Sequence, residues 1–188
     1  MKKLQPIFPI ILFSLLAMSC GEARVVQSTA YCASKSSPGT ECGGGVIYLT
    51  NYQGTGDTLV AALEDETPSL WNIDGLATLN AQDVNDGRNN TGELGANFPA
   101  YMACEDSTMA GFNDWYLPAL NELIEIWNNI ALVPNLAAVE YWSSTEAATV
   151  TRAEEIDMLT GANGQSFKDT ATFNVRCIRR LAPTAFTP

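Results

Sequence analysis

The sequence predicts one domain that mixes helix with strand, on three observations. A β-branched and aromatic run, Val46-Ile47-Tyr48-Leu49, is followed by the turn-rich stretch Asn51 to Gly56 and a second apolar run, Leu59 to Leu63. An amphipathic helix opens at Pro118, and strand-like segments return from Thr149 onward. The 188 residues fit one domain with processed or flexible ends, and 46% apolar against 16% charged residues suits a packed core.

The first residues read as an export signal. Met1, Lys2 and Lys3 precede an apolar run from Ile7 to Met18, too short for a typical membrane span. The run ends in Leu16-Ala17-Met18-Ser19-Cys20, which resembles the lipobox of bacterial lipoproteins, with Cys20 as the lipidated residue of the mature chain. Ala17-Met18-Ser19 is also a small-x-small site at which an ordinary signal peptidase could release a soluble secreted protein. The division that follows is a signal peptide at 1–19, a lipid-anchored tether at 20–37, a domain at 38–181 and a tail at 182–188. The lipid would place the protein in the cell envelope, as an outer-membrane lipoprotein.

Beyond the tether, the two apolar runs form a hairpin, Val46 to Leu49 pairing with Leu59 to Leu63. Asp74 to Gly95 is rich in Asn, Asp and Gly, and Asp83-Val84-Asn85-Asp86-Gly87-Arg88 is its densest part. The 83–93 loop has two readings, a calcium loop and an Asx-turn loop; an EF-hand type needs its glycine at the sixth place, and Gly87 comes fifth, which favours the Asx-turn reading without deciding it. Phe98 to Cys104 is a short helix. In the next one, Leu120, Leu123, Ile124, Trp127 and Ile130 share the core face, while Asn121, Glu122, Glu125 and Asn128 share the solvated face. Strands follow at about Thr149 to Leu159, Gln165 to Phe167 and Thr172 to Arg179, with Gly161 to Gly164 as a turn. Trp115 and Trp142 read as core.

Charge and cysteine content limit the chemistry. Ten Lys plus Arg face 21 Asp plus Glu, and removing residues 1–19 takes away Lys2 and Lys3 and no acid, so the net moves from −11 to −13. Such acidity opposes nucleic-acid binding. The chain has no histidine, which removes Ser-His-Asp and Cys-His catalysis and His-ligated metals, and no cofactor or metal is expected. With Cys20 set aside, Cys32, Cys42, Cys104 and Cys177 are an even set suited to two disulfides in an oxidising compartment. Of the three pairings that four cysteines permit, Cys32 with Cys42 and Cys104 with Cys177 is favoured.

Three ordered motifs carry a family resemblance. Gly111-Phe112-Asn113-Asp114-Trp115-Tyr116-Leu117-Pro118-Ala119-Leu120-Asn121-Glu122-Leu123 resembles a G-x-x-D-W-x-L-P-x-x-x-E-L signature, Tyr141 to Glu146 a Y-W-S-S-T-E, and Val175 to Arg179 a V-R-C-V-R. They are similar to the C-terminal domain family of the Legionella collagen-like adhesin, itself similar to C-type lectin-like surface domains. Gly43 to Glu66 resembles the N-terminal part of longer members. The resemblance implies a compact α+β, C-type lectin-like fold with two helices on a small, mostly antiparallel sheet and a disulfide from the first helix to the last strand, again Cys104 with Cys177. Members are exported adhesins or ligand-display modules. This chain has no Gly-X-Y tract, and its net charge opposes the sulfated polyanion bound by the collagen-like member, although Arg152, Lys168, Arg176, Arg179 and Arg180 all fall in the last third.

The expected function is therefore a non-catalytic surface lipoprotein, held to the membrane through Cys20, whose domain binds a glycan or a surface protein. By position within the resembling family, the ligand face is expected between Thr149 and Asn174, from Arg152, Glu154, Asp157, Asn163, Gln165 and Lys168. The alternatives are a structural envelope or matrix protein without a specific ligand, and a glycan hydrolase using two carboxylates. Intact mass of the mature protein tests the processing: the chain should begin at Cys20 with added acyl mass and gain one hydrogen per bridged cysteine on reduction. An unacylated chain beginning elsewhere would remove the anchor.

Overall fold

A computed structural model describes residues 37–76, 81–91 and 97–183. The signal at 1–19, Cys20, most of the tether, Cys32, residues 92 and 93 of the Asp83 loop and the tail from 184 lie outside the described residues, and with Cys32 so does the Cys32–Cys42 pairing. The domain is α+β. In chain order it has β1 (Glu41–Cys42), β2 (Gly45–Tyr52), β3 (Asp57–Ala62), β4 (Glu66–Leu70), α1 (Gly87–Thr91), α2 (Pro99–Glu105), α3 (Leu120–Asn128), β5 (Glu140–Glu146), β6 (Arg152–Asp157), β7 (Asn163–Phe167), β8 (Thr172–Val175) and β9 (Ile178–Leu181). One sheet runs β1-β2-β3-β9 and the other β4-β8-β5-β6-β7. Every pairing is antiparallel except β5 with β8. No described helix is long and apolar enough to cross a membrane.

The expected hairpin is β2 with β3, Val46 opposite Ala61 and Ile47 opposite Val60. The C-terminal strand differs from expectation. Thr172 to Arg179 reads as one alternating strand, but the chain leaves the second sheet after Val175 and enters the first at Ile178. Period-2 alternation cannot reveal that step, because Val175, Arg176, Cys177 and Ile178 are all buried whichever way they point. The Gly161 to Gly164 turn is also shorter than expected, since Asn163 and Gly164 already belong to β7. Gly161 packs beneath Trp127, where a Cβ would lie 2.4 Å from the indole.

Two apolar clusters fill the space between the layers. Tyr48, Leu59, Tyr116, Leu123, Ile126, Tyr141, Ile156 and Ile178 join both sheets to α3. Trp71, Ala100, Cys104, Trp115, Leu117, Trp142, Val175 and Cys177 join the second sheet to α2. Helix α3 starts where its first N–H groups find acceptors: Leu120 N–H donates to Thr145 Oγ1 (3.1 Å) and Asn121 N–H to Val84 O (2.8 Å). Its buried face is Glu122, Leu123 and Ile126, a correction to the expected stripe, and Ile130 lies past the helix end, 39% exposed. The loop around Asp83 contains α1, set by its own side chains: Asp83 Oδ1 accepts the N–H groups of Asn85 (2.8 Å) and Asp86 (3.0 Å).

Cys104 of α2 is disulfide-bonded to Cys177, with the Cα atoms 5.4 Å apart. The bridge closes a loop of 73 residues. In the chain-entropy account such a loop is worth roughly 4.4 kcal/mol. Replacing both cysteines by alanine should lower the unfolding free energy in urea by about 4 kcal/mol. A loss under about 1 kcal/mol would mean that the unfolded chain is not what the bridge restrains.

Candidate functional site

The β6–β7 hairpin gathers four of the six expected ligand residues. Its register sets Arg152 opposite Phe167, Glu154 opposite Gln165 and Ile156 opposite Asn163, so the polar side chains of these pairs share one face. The Arg152 guanidinium lies 4.2 Å from the centre of the Phe167 ring, which is 48% exposed. Arg152 Nη1 donates to Gln165 O (2.6 Å) and Gln165 Nε2 donates to Glu154 Oε1 (2.8 Å). Partial burial raises the Glu154 pKa, and the Gln165 bond opposes the rise. The result is an exposed aromatic ring framed by cation, amide and carboxylate and held by sheet register.

The other two expected residues are placed differently. Asp157 sits at the strand end, where Oδ1 accepts Leu159 N–H (2.8 Å) and Oδ2 the Thr160 hydroxyl (2.7 Å), which hold the turn and lower its pKa. Lys168 is fully buried, a correction: it pairs with Glu146, donates to Leu76 O (2.9 Å) and lies 4.7 Å from the Trp71 ring centre. The chain turns inward just past β7, where Trp71 and Asn72 N–H both donate to Lys168 O. The basic residues of the last third therefore form no cationic surface. Arg176 pairs with Asp65, Arg179 with Asp114, and Arg180 with Asp57 and Asp86. Trp115 and Trp142 are buried, which leaves Phe167, not singled out in the sequence, as the exposed ring on this face.

A concavity of about 390 Å³ lies between the β2–β3 turn and α3. It is lined by Leu49, Asn51, Tyr52, Gln53, Asn121, Ile124 and Glu125. Asn85 organises its wall: its Oδ1 accepts both Gln53 Nε2 and Asn121 Nδ2, each at 2.7 Å, and its backbone O accepts the Tyr52 hydroxyl (3.0 Å). Asn51 and Gln53 at the lip both hold left-handed backbone, φ 57° and 52°. None of these was legible as a site, because the turn and the helix that meet here lie far apart in sequence.

Behind the groove lies Glu122, expected on the solvated face and found fully buried. Its Oε2 accepts the N–H groups of Gly87 and Ala119, both at 3.0 Å, and its Oε1 accepts the Tyr116 hydroxyl (2.7 Å) with Arg180 Nη1 3.8 Å away. The one available signal was its place in the first turn after a proline, from which a glutamate reaches back to the helix start. Gly87 is required here, since a Cβ would lie 2.2 Å from Leu117 O. Burial pushes the carboxyl up to about 7, against the pull of its three hydrogen bonds. Glu122 therefore pins α1 to α3 from the interior. Among the described residues no group of three or more Asp, Glu, Cys or His side chains could hold a metal ion.

No protein-family model matches the chain, and no match was found among the curated proteins.

Glu122 makes stability pH-dependent with a definite sign. Its folded pKa of about 7 lies above the ordinary 4.5, so the folded state keeps a proton that the unfolded chain loses. Its contribution falls as pH rises through that window, by roughly 3 kcal/mol in all. Glu122→Gln keeps an acceptor oxygen without the charge. The variant should gain on the native protein by about that amount between pH 4.5 and 8 in urea unfolding; a difference independent of pH would show that Glu122 is not protonated near neutrality.

Proposed function

We propose that the chain is an exported, lipid-anchored envelope protein whose C-type lectin-like domain, braced by two disulfides, binds a glycan or surface-protein partner without catalysis. The observation that carries this reading is the β6–β7 face, where the Arg152–Phe167 stack and the Glu154–Gln165 pair lie together, Phe167 and Gln165 exposed and Arg152 and Glu154 half-buried. An aromatic ring and an arginine fixed in one geometry lose little side-chain freedom on binding, which is why such residues dominate recognition surfaces.

Three further features support it. Every cation of the last third except Arg152 is engaged with an acid inside the fold, so a partner meets an acidic surface with a single arginine presented on this face. That charge distribution favours a neutral or weakly basic partner over a sulfated polyanion. The motif resemblance places the expected ligand segment between Y-W-S-S-T-E and V-R-C-V-R, which is where β6 and β7 lie. The motifs themselves are used in packing: Thr145 caps α3 and Trp142 Nε1 donates to Ser69 O (2.9 Å).

Binding of the mature protein to an array of glycans and bacterial and host surface proteins tests the assignment. Joint alanine substitution of Arg152, Glu154, Asn163, Gln165 and Phe167 should weaken saturable binding at least about tenfold while leaving the circular dichroism spectrum unchanged. Binding that survives all five substitutions would move the ligand face elsewhere.

A further inference from the structure

The groove between the β2–β3 turn and α3 shares no residue with the hairpin face, and its chemistry is of a different kind. Gln53 and Asn121 each spend an amide N–H on the same atom, Asn85 Oδ1, which fixes both side-chain amides. Neither Gln53 Oε1 nor Asn121 Oδ1 has a hydrogen-bond partner among the described residues. Glu125 follows Asn121 by one helical turn and so stands on the same side of α3. One of its carboxylate oxygens accepts Asn128 Nδ2 at a long 3.3 Å, and the other is left to the groove. The lining thus offers two amide oxygens and a carboxylate, and it contains no cationic side chain. The nearby Arg180 and Arg88 are held by Asp57 and Asp86.

Leu49 and Ile124 supply the apolar part of the same wall, both half-buried. Acceptors clustered beside aliphatic surface suit a ligand that carries hydrogen-bond donors and positive charge on a methylene stem. The volume of about 390 Å³ falls in the range of small-ligand sites, and the chain's net charge of −11 adds long-range attraction for a cation. We infer that this groove is a binding site for a primary ammonium group on an aliphatic stem, the chemistry shared by a lysine side chain and a free alkyl amine, with Glu125, Gln53 and Asn121 as the acceptors.

Titration of the isotopically labelled mature protein, followed by the backbone amide resonances, tests this with three probes: Nα-acetyl-lysine methylamide, the norleucine equivalent that keeps the stem and lacks the ammonium, and cadaverine. The lysine probe or cadaverine should shift the Gln53, Asn121 and Glu125 amides saturably, and the norleucine probe should not. Response to the lysine probe alone assigns the site to a protein partner's side chain, and response to cadaverine admits a free amine; both support the site. Glu125→Gln, at a half-buried position on the helix, should weaken binding about fivefold and reduce its salt dependence. Equal shifts from the norleucine probe, no shift from either amine, or an affinity unchanged by Glu125→Gln would overturn the inference. None of these outcomes bears on the array experiment, so the groove and the hairpin face stand or fall separately.

Discussion

The guanidinium of Arg176 is the constraint around which the two sheets are arranged. It is fully buried at the step where the chain leaves β8 for β9. Its donors reach Asp65 Oδ1 (2.6 Å), Ala62 O (2.6 Å), Pro134 O (3.2 Å) and Asn135 O (2.8 Å), which belong to the end of β3, the turn after it and the loop before β5. A planar fork of donors meets acceptors in several directions at once, whereas an ammonium could not span them. Asp65 extends the network, its Oδ2 accepting the Tyr141 hydroxyl (2.6 Å) and Asn174 Nδ2 (3.1 Å). A buried charge is tolerable only when so completely surrounded, which ties the step between sheets to one local geometry.

The neighbouring residue repeats the lesson by other means. Cys177 bonds to Cys104, so two consecutive positions fix the crossover to α2 covalently and to the β3–β4 turn electrostatically. The arginines that follow do likewise: Arg179 bridges Asp114 and Gly43, and Arg180 lies over Tyr52 while pairing with Asp57 and Asp86. In a chain with twice as many acids as bases, Lys168, Arg176, Arg179 and Arg180 are all turned inward, and the acids that remain at the surface shape what it can attract.

What could be read from the sequence was whatever one element decides alone. The β2–β3 hairpin follows from β-branched runs around a turn, and α3 follows from Pro118 and its apolar repeat. The residues that build the groove and the buried polar pairs depend on meetings between distant segments, unlike the β6–β7 face, which one hairpin assembles. Glu122 has the spacing of a solvated residue and becomes interior only because Gly87 lets α1 approach Leu117. Lys168 directly follows a strand whose polar residues face outward, and its partner Glu146 lies on β5. The β8–β9 break is hidden because alternation carries no information where both faces are covered. The groove joins Gln53, Asn85 and Asn121 from three separate segments, and nothing in any one of them marks the others.

The crossover also sets the order in which the molecule can be completed. Synthesis delivers a chain from its N-terminus, so Cys104 emerges 73 residues ahead of Cys177. Until then Cys104 is a waiting thiol, and β3 presents an open edge, because the neighbour on that side is β9. Both are closed by the same few residues on their arrival. The last strand therefore acts as a clasp: interception of Cys104 by a wrong thiol and edge-to-edge association through β3 share one window of vulnerability, and it ends when the V-R-C-I-R segment docks.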